Sequence, residues 1–246
     1  MCEIFVVIPA RLQASRLPGK PLKHIAGEEM IVHVWRRACE ADVGPVVVAT
    51  DSLEIADVVE AAGGRAMITA DHHLSGTDRV HEVVSRSDTQ KKFDVIVNLQ
   101  GDLPMLEPGL VAACARPLKE SDADIATLAA EISDVEERED PHVVKVVGTP
   151  TASPDILRAL YFTRASAPTG EGPFYHHIGL YAFRRGALEN FVALPPSALE
   201  KRERLEQLRA LEAGMRIDVG LVDTVPLGVD TPADLQRARA MMEGKG

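Results

Sequence analysis

The stretch from Ile8 to Lys20, Ile-Pro-Ala-Arg-Leu-Gln-Ala-Ser-Arg-Leu-Pro-Gly-Lys, restricts the fold of this chain more than any other. It follows an apolar run, Ile4 to Ile8, which reads as a buried strand of a parallel sheet. Two prolines and Gly19 restrict or bend the backbone, while Arg11, Arg16 and Lys20 bring three cations to the carboxyl end of that strand. Open α/β sheets bind ligands at that edge. No acid occurs between Glu3 and Glu28, an interval that holds Arg11, Arg16, Lys20 and Lys23, although the formal net charge is -10. The stretch is therefore a candidate triphosphate cradle, because arginine grips phosphate oxygens as a planar fork and lysine as a point charge. The alternative, a proline-rich connection with incidental surface charge, does not explain why the cations gather at a strand's carboxyl end. Pro21 follows Lys20, so this is no GxxxxGK[ST] loop, and the absence of GxGxxG weakens a dinucleotide dehydrogenase reading.

With 246 residues, 46% of them hydrophobic, the chain can bury a full core as one α/β domain spanning 1–246, with or without a small insertion. The acidic balance argues against non-specific binding to nucleic acid or to an anionic membrane, either of which needs a broad basic face. Cys2, Cys39 and Cys114 are odd in number and form no CxxC pair, which fits a reducing, cytoplasmic setting and neither a disulfide framework nor a zinc site. Pro9 and Arg11 interrupt the first apolar stretch, which has no basic flank, so it does not read as a secretory signal. No run reaches the roughly 18 apolar residues of a membrane span.

Met30, Val34 and Ala38 predict a helix over about 29–40, and Pro45 to Ala49 a second strand. Asp51 or Ser52 caps a helix through Ile55, Val58 and Val59 that Gly63-Gly64 stops. A short strand, 65–69, a polar turn, 71–77, and a helix through Val80, Val83 and Val84 follow; 94–99 is the most strand-like segment and ends in Gln-Gly-Asp-Leu-Pro. This alternation predicts a Rossmann-like, doubly wound, mostly parallel sheet. From about Ala123 the rhythm changes. Strands over 125–132, 142–147, 157–162 and 175–183, with a short acidic helix at 134–139, predict a smaller mixed sheet over about 123–190, whose edge could pair subunits in a homodimer. A helix over 199–213, a strand over 216–222 and a closing helix from Thr231 to Met242 complete the chain; Thr231, Pro232 and Asp234 make a good helix start.

Beyond the cradle, Asp102 and Asp230 each follow an apolar strand or run. Singly, each is a turn or cap residue. Together they could converge on a magnesium ion, which accepts one or two carboxylates and takes water and phosphate oxygens for the rest. Leu74-Ser-Gly-Thr-Asp-Arg79 reads as a capped helix start whose free amides also favour an anion. The pairs His72-His73 and His176-His177 are poor metal sites, since neighbours in an extended segment point to opposite faces.

The opening string Ile-Pro-Ala-Arg-x-x-Ala-Ser-Arg-Leu-Pro-Gly-Lys-Pro-Leu resembles the signature of the 3-deoxy-manno-octulosonate (Kdo) cytidylyltransferases. Further matches follow in the family's order: Val48-Ala-Thr-Asp51, Ser75-Gly-Thr77 with Arg79, Val97-Asn-Leu-Gln-Gly-Asp102, Val143-Val-Lys-Val-Val147, Leu160-Tyr-Phe162 with Arg164, His177-Ile-Gly-Leu-Tyr181, Leu205-Glu-Gln-Leu-Arg209 and Val229-Asp-Thr-Pro-x-Asp-Leu235. The opening is shared in part with sialic-acid cytidylyltransferases; the combination is specific. The resemblance implies transfer of CMP from CTP to the 2-hydroxyl of Kdo with release of pyrophosphate, a step of lipopolysaccharide biosynthesis. It implies Mg²⁺ on Asp102 and Asp230, and Arg16 and Lys20 beside them as catalytic groups. Pro9, Ala10, Arg11, Arg16, Lys20, Thr50, Ser75, Gln100 and Asp102 would bind nucleotide, and Gly76, Arg79, Arg164, His177, Tyr181, Glu206 and Gln207 the sugar. The family usually has Glu where this chain has Leu103 and Asp78, and Ser where it has Thr163, which bears on sugar choice and not on the reaction type. The rival readings are a cytidylyltransferase for 8-amino-Kdo or a sialic-acid-like sugar, a non-catalytic nucleotide-binding module and a metal-dependent glycosyltransferase, for which no DxD string is suited.

Overall fold

The computed structural model describes residues 3–13 and 16–244; Cys2 and the Ala14-Ser15 pair of the opening motif lie outside the described residues. In chain order the elements are β1 (Ile4–Ala10), β2 (His24–Ile25), β3 (Glu28–Glu29), α1 (Met30–Glu40), β4 (Val46–Thr50), α2 (Leu53–Ala61), β5 (Ala66–Ile68), α3 (Gly76–Ser87), β6 (Val95–Asn98) and α4 (Gly109–Glu120). There follow β7 (Ile125–Glu131), α5 (Val135–Glu139), β8 (Lys145–Pro150), β9 (Ile156–Thr163), β10 (Tyr175–Arg184), α6 (Arg185–Ala193), α7 (Ala198–Glu203), α8 (Leu208–Glu212), β11 (Ile217–Val222) and α9 (Pro232–Glu243). They form two compact units, Met1–Ala112 with Pro226–Gly246, and Ala113–Val225. Among the described residues no helix is long and apolar enough to cross a membrane.

The first unit is built on four parallel strands in the order β5, β4, β1, β6, with Val6 opposite Val46 and Val97. Val6, Val7 and Ile8 are fully buried, as an unbroken apolar run in a parallel sheet requires. The strand runs two residues past that apolar run. Pro9 fits because the ladder with β6 ends at Val7 and Asn98, so its missing N–H leaves no bond unmade on that side. Ser52 caps α2, and Ser75 with Asp78 forms a capping box on α3. Leu17 from the opening loop, Ile25, Met30, Val229, Leu235 and Ala238 make one buried cluster, which ties that loop to α9.

The second unit holds a mixed sheet. β7 pairs antiparallel with β10 and parallel with β11; β9 runs antiparallel to β11, and β8 antiparallel to β9. β8 also meets β10, with Lys145 opposite both Thr163 and His176. The α/β class expected from the alternation is the class observed, and β11 joins the mixed sheet.

Three expectations need correction. The strand expected over 142–147 begins at Lys145, because the fully buried Lys145 Nζ gathers the carbonyls of Asp140 (2.8 Å), Val143 (2.7 Å) and Arg164 (3.0 Å) and curls the preceding segment. The single helix expected over 199–213 is two, since Arg204 adopts left-handed backbone at φ 57. Helices α4 and α6 stand where the apolar pattern assigns none; Pro117 inside α4 and the continuation of α6 from β10 blur both signals.

Candidate active site

The end of β1 and the opening loop deliver their cations by local geometry. Gly19 takes left-handed backbone at φ 66, open to glycine at no steric cost, and a single 3-10 turn, Lys20–Leu22, follows with Pro21 at its start. With Leu17 buried beside α9, Arg16 and Lys20 flank a fixed point. Asp102 follows β6, and its carbonyl accepts the Val229 N–H at 2.9 Å, which locks the two carboxylate-bearing segments together. Thr231 and Asp234 form the capping box of α9, and Asp234 also accepts the Asp230 N–H at 3.2 Å, so the backbone at Asp230 is held from behind.

Lys20 Nζ donates to Asp102 Oδ2 and to Asp230 Oδ1, both at 2.8 Å, and Arg16 donates to Asp230 Oδ2 at 2.9 Å. Burial works against the Lys20 charge, and Asp102 with Asp230 outweighs it, so its pKa is raised. Two carboxylates from segments 128 positions apart (230 minus 102) thus converge on one cation position. That donor set fits magnesium, whose remaining ligands are phosphate and water oxygens; among the described residues no larger cluster of metal-ligating side chains occurs.

These groups line a cavity of about 370 Å³ together with Pro9, Ala10, Arg11, Ser75, Gly76, Arg79, Gln100 and Gly101. Among the described residues no hydrogen bond or ion pair engages Arg11, which leaves its guanidinium to a ligand. Gln100 donates to Asn98 Oδ1 at 3.0 Å, and Asn98 to Thr77 Oγ1 at 3.3 Å, so two buried residues orient the glutamine amide. A Cβ on Gly101 would stand 2.9 Å from the Pro9 carbonyl, so only glycine lets the β6 turn come this close to β1. Sequence reasoning missed His73, Leu74, Leu17 and Pro21 as lining residues. His73 was weighed only as a metal ligand; it instead pairs with Glu82 at 2.5 Å.

Two expected residues are structurally committed. Thr50 is fully buried, does not line the cavity, and accepts the Ser52 N–H at 3.1 Å. Arg79, also buried, lines the cavity but bonds Asp51 at 2.7 Å, the Ala70 carbonyl at 3.2 Å and the Thr69 hydroxyl, bracing α3 against the ends of β4 and β5.

Arg164, His177, Tyr181, Glu206 and Gln207 belong to the second unit. The His177 ring lies 4.9 Å from Phe162 and 5.5 Å from Tyr181, centroid to centroid, and its Nε2 is 3.0 Å from Thr127 Oγ1. Burial and then Glu206 raise the Tyr181 pKa. Gln207 Nε2 is buried with no hydrogen-bond partner among the described residues.

The cytidylyltransferase family model matches residues 5–217. Over 245 residues, covering 100% of this chain and 99% of its own length, the 3-deoxy-manno-octulosonate cytidylyltransferase of Methylobacterium radiotolerans is 61% identical. That of Azorhizobium caulinodans is 63% identical over 240 residues, 98% of this chain and 96% of its own. The chain belongs to the 3-deoxy-manno-octulosonate cytidylyltransferase family. As a member of that family it is a nucleotidyltransferase. Its structure superposes on a CMP:2-keto-3-deoxy-manno-octonic acid synthetase solved with CTP, at a TM-score of 0.90 and 41% identity, covering 99% of this cytidylyltransferase and 100% of the other chain. A 4-diphosphocytidyl-2C-methyl-D-erythritol synthase from Anaerococcus prevotii, 12% identical at a TM-score of 0.64 over 98% of this chain and 99% of its own, shares the fold.

Proposed function

We propose that this chain transfers the cytidylyl group of CTP to the 2-hydroxyl of Kdo: the hydroxyl oxygen attacks the α-phosphorus, the bond to the β-phosphate breaks, and pyrophosphate and the hydroxyl proton leave. The observation that carries the reading is the meeting of Asp102 and Asp230 on the Lys20 ammonium, beside Arg11 and Arg16 of the same opening loop. Arg11, Arg16 and Lys20 take the triphosphate, Gln100 and the Pro9-Ala10 backbone the cytosine and ribose, with Ser75 at the N-terminus of α3. Arg164, His177, Tyr181, Glu206 and Gln207 hold the sugar acid. Asp102 and Asp230 would hold magnesium, which would supply charge neutralisation at the phosphates and acidify the attacking hydroxyl. Lys20, which holds both carboxylates at 2.8 Å, would neutralise charge on the leaving pyrophosphate. No covalent intermediate with the protein is needed, so alignment and charge stabilisation carry the rate. The relatives' names support CTP and Kdo as substrates, with the product serving lipopolysaccharide synthesis in the cytoplasm and the mixed sheet offering an edge for a homodimer.

The test is pyrophosphate release from CTP with Kdo, 8-amino-Kdo or sialic acid, with magnesium present or chelated. Release with Kdo that chelation abolishes is expected. CTP binding without pyrophosphate release from any sugar acid would leave only a nucleotide-binding module.

A further inference from the structure

The side chain that organises the sugar-acid residues of the second unit is Glu203, the last residue of α7. One carboxylate oxygen accepts the Thr163 hydroxyl at 2.9 Å and the Tyr161 hydroxyl at 3.4 Å; the other accepts the Arg164 N–H at 3.2 Å. Its own carbonyl accepts Arg164 Nε at 3.2 Å. One residue thus grips the end of β9 through both its side chain and its backbone, and fixes Arg164 at its main chain and its guanidinium. The next residue, Arg204, takes left-handed backbone and ends the helix, so Glu206 and Gln207 follow within three positions. The Arg164 and Glu206-Gln207 segments are distant in sequence, and Glu203 sets the spacing between them.

We propose that Glu203 is a positioning residue for the sugar acid, setting Arg164 against Glu206 and Gln207 without touching substrate itself. The proposal rests on the sugar-binding assignment made above. The carboxylate is needed as an acceptor and not as a charge. Glutamine can keep its oxygen on the Arg164 N–H and turn its NH₂ to Thr163 and Tyr161, whose hydroxyls accept as readily as they donate.

Steady-state kinetics with CTP and Kdo on the wild type, Glu203→Ala, Glu203→Gln and Arg164→Ala separate the possibilities. Glu203→Ala is expected to raise the KM for Kdo about tenfold with kcat and the KM for CTP within about twofold of wild type, and Glu203→Gln to restore most of the loss. A wild type inactive with Kdo, or an Arg164→Ala variant with normal Kdo KM, overturns the sugar-site assignment. A normal Kdo KM in Glu203→Ala beside a raised one in Arg164→Ala overturns the Glu203 role alone, as does equal damage to both substrates. If Glu203→Ala does not fold, the double variant Tyr161→Phe, Thr163→Val decides: a selective rise in Kdo KM supports the role and unchanged kinetics overturn it.

Discussion

His177 makes stability depend on acid. Thr127 Oγ1 lies within 3.0 Å of the Ile178 carbonyl and 2.8 Å of the Leu180 carbonyl, so its one proton is spent on a carbonyl and its oxygen accepts from His177 Nε2. The imidazole is therefore the neutral Nε2–H tautomer. Burial, and second His176, lowers its pKa from 6.5 to about 3. Below pH 6.5 the unfolded chain takes up a proton that the folded chain refuses, so stability falls with pH across that window until about pH 3. From pH 7 to pH 5 the loss is about 2 kcal/mol, at up to ~1.4 kcal/mol per pH unit. Urea unfolding of the wild type and His177→Gln at pH 7, 6 and 5 measures it, because titrations common to both cancel in the difference. The wild-type advantage is expected to shrink by about 2 kcal/mol over that range. Parallel pH dependences, or the His177 imidazole resonance titrating near 6.5 in the folded protein, would refute the buried neutral histidine.

Four further outcomes follow from the same contacts. Asp102→Asn is expected to cost at least about 100-fold in turnover with a near-normal urea midpoint; near-normal activity would sink the metal assignment. Lys145→Met leaves three carbonyls without their ammonium and is expected to cost about 3 kcal/mol or more in unfolding free energy. Burial raises the Glu82 pKa, but the Ala70 N–H, His73 and Arg86 outweigh it and hold it at about 2; its contribution is present above pH 4.5 and lost as pH falls towards 2, so Glu82→Gln should flatten acid unfolding in that range. Gly101→Ala drives a methyl against the Pro9 carbonyl and should weaken CTP binding, read by titration calorimetry, more than it lowers the melting temperature.

The first unit was legible because its signals are local. Ile4 to Ile8 is apolar without a break, Ser52 and Ser75 are caps followed by amphipathic turns, and Gly63 at φ 88 stops a helix. The same holds for the cradle, whose cations lie in the loop after β1 and whose carboxylates lie after β6 and just before α9. The second unit hid its structure in long-range contacts. Nothing near Lys145 announces that its ammonium will bind the Arg164 carbonyl across the sheet. The break at Arg204 is invisible because Leu205 and Leu208 keep helical spacing through it, while Arg209 reaches back to Glu200 at 2.6 and 2.8 Å across the turn. Arg79 shows the same limit in the first unit, since only the folded chain puts Asp51 beside it.

The charges of the cavity bear on why carboxylates belong there at all. Arg11, Arg16 and Lys20 face Asp102 and Asp230, and Arg79 is balanced by Asp51, so three loop cations meet two acids. A site built only to hold a triphosphate gains nothing from two carboxylates, which repel the ligand and occupy the cations meant for it. On the proposed assignment, a divalent cation would give Asp102 and Asp230 a partner of higher charge, and Lys20 and Arg16 would then be available to phosphate oxygens. Before that the ion pairs hold the loop, the β6 turn and the start of α9 in one geometry, so the cavity is organised ahead of the ligand. We propose that the acids in the basic cradle couple triphosphate binding to metal binding.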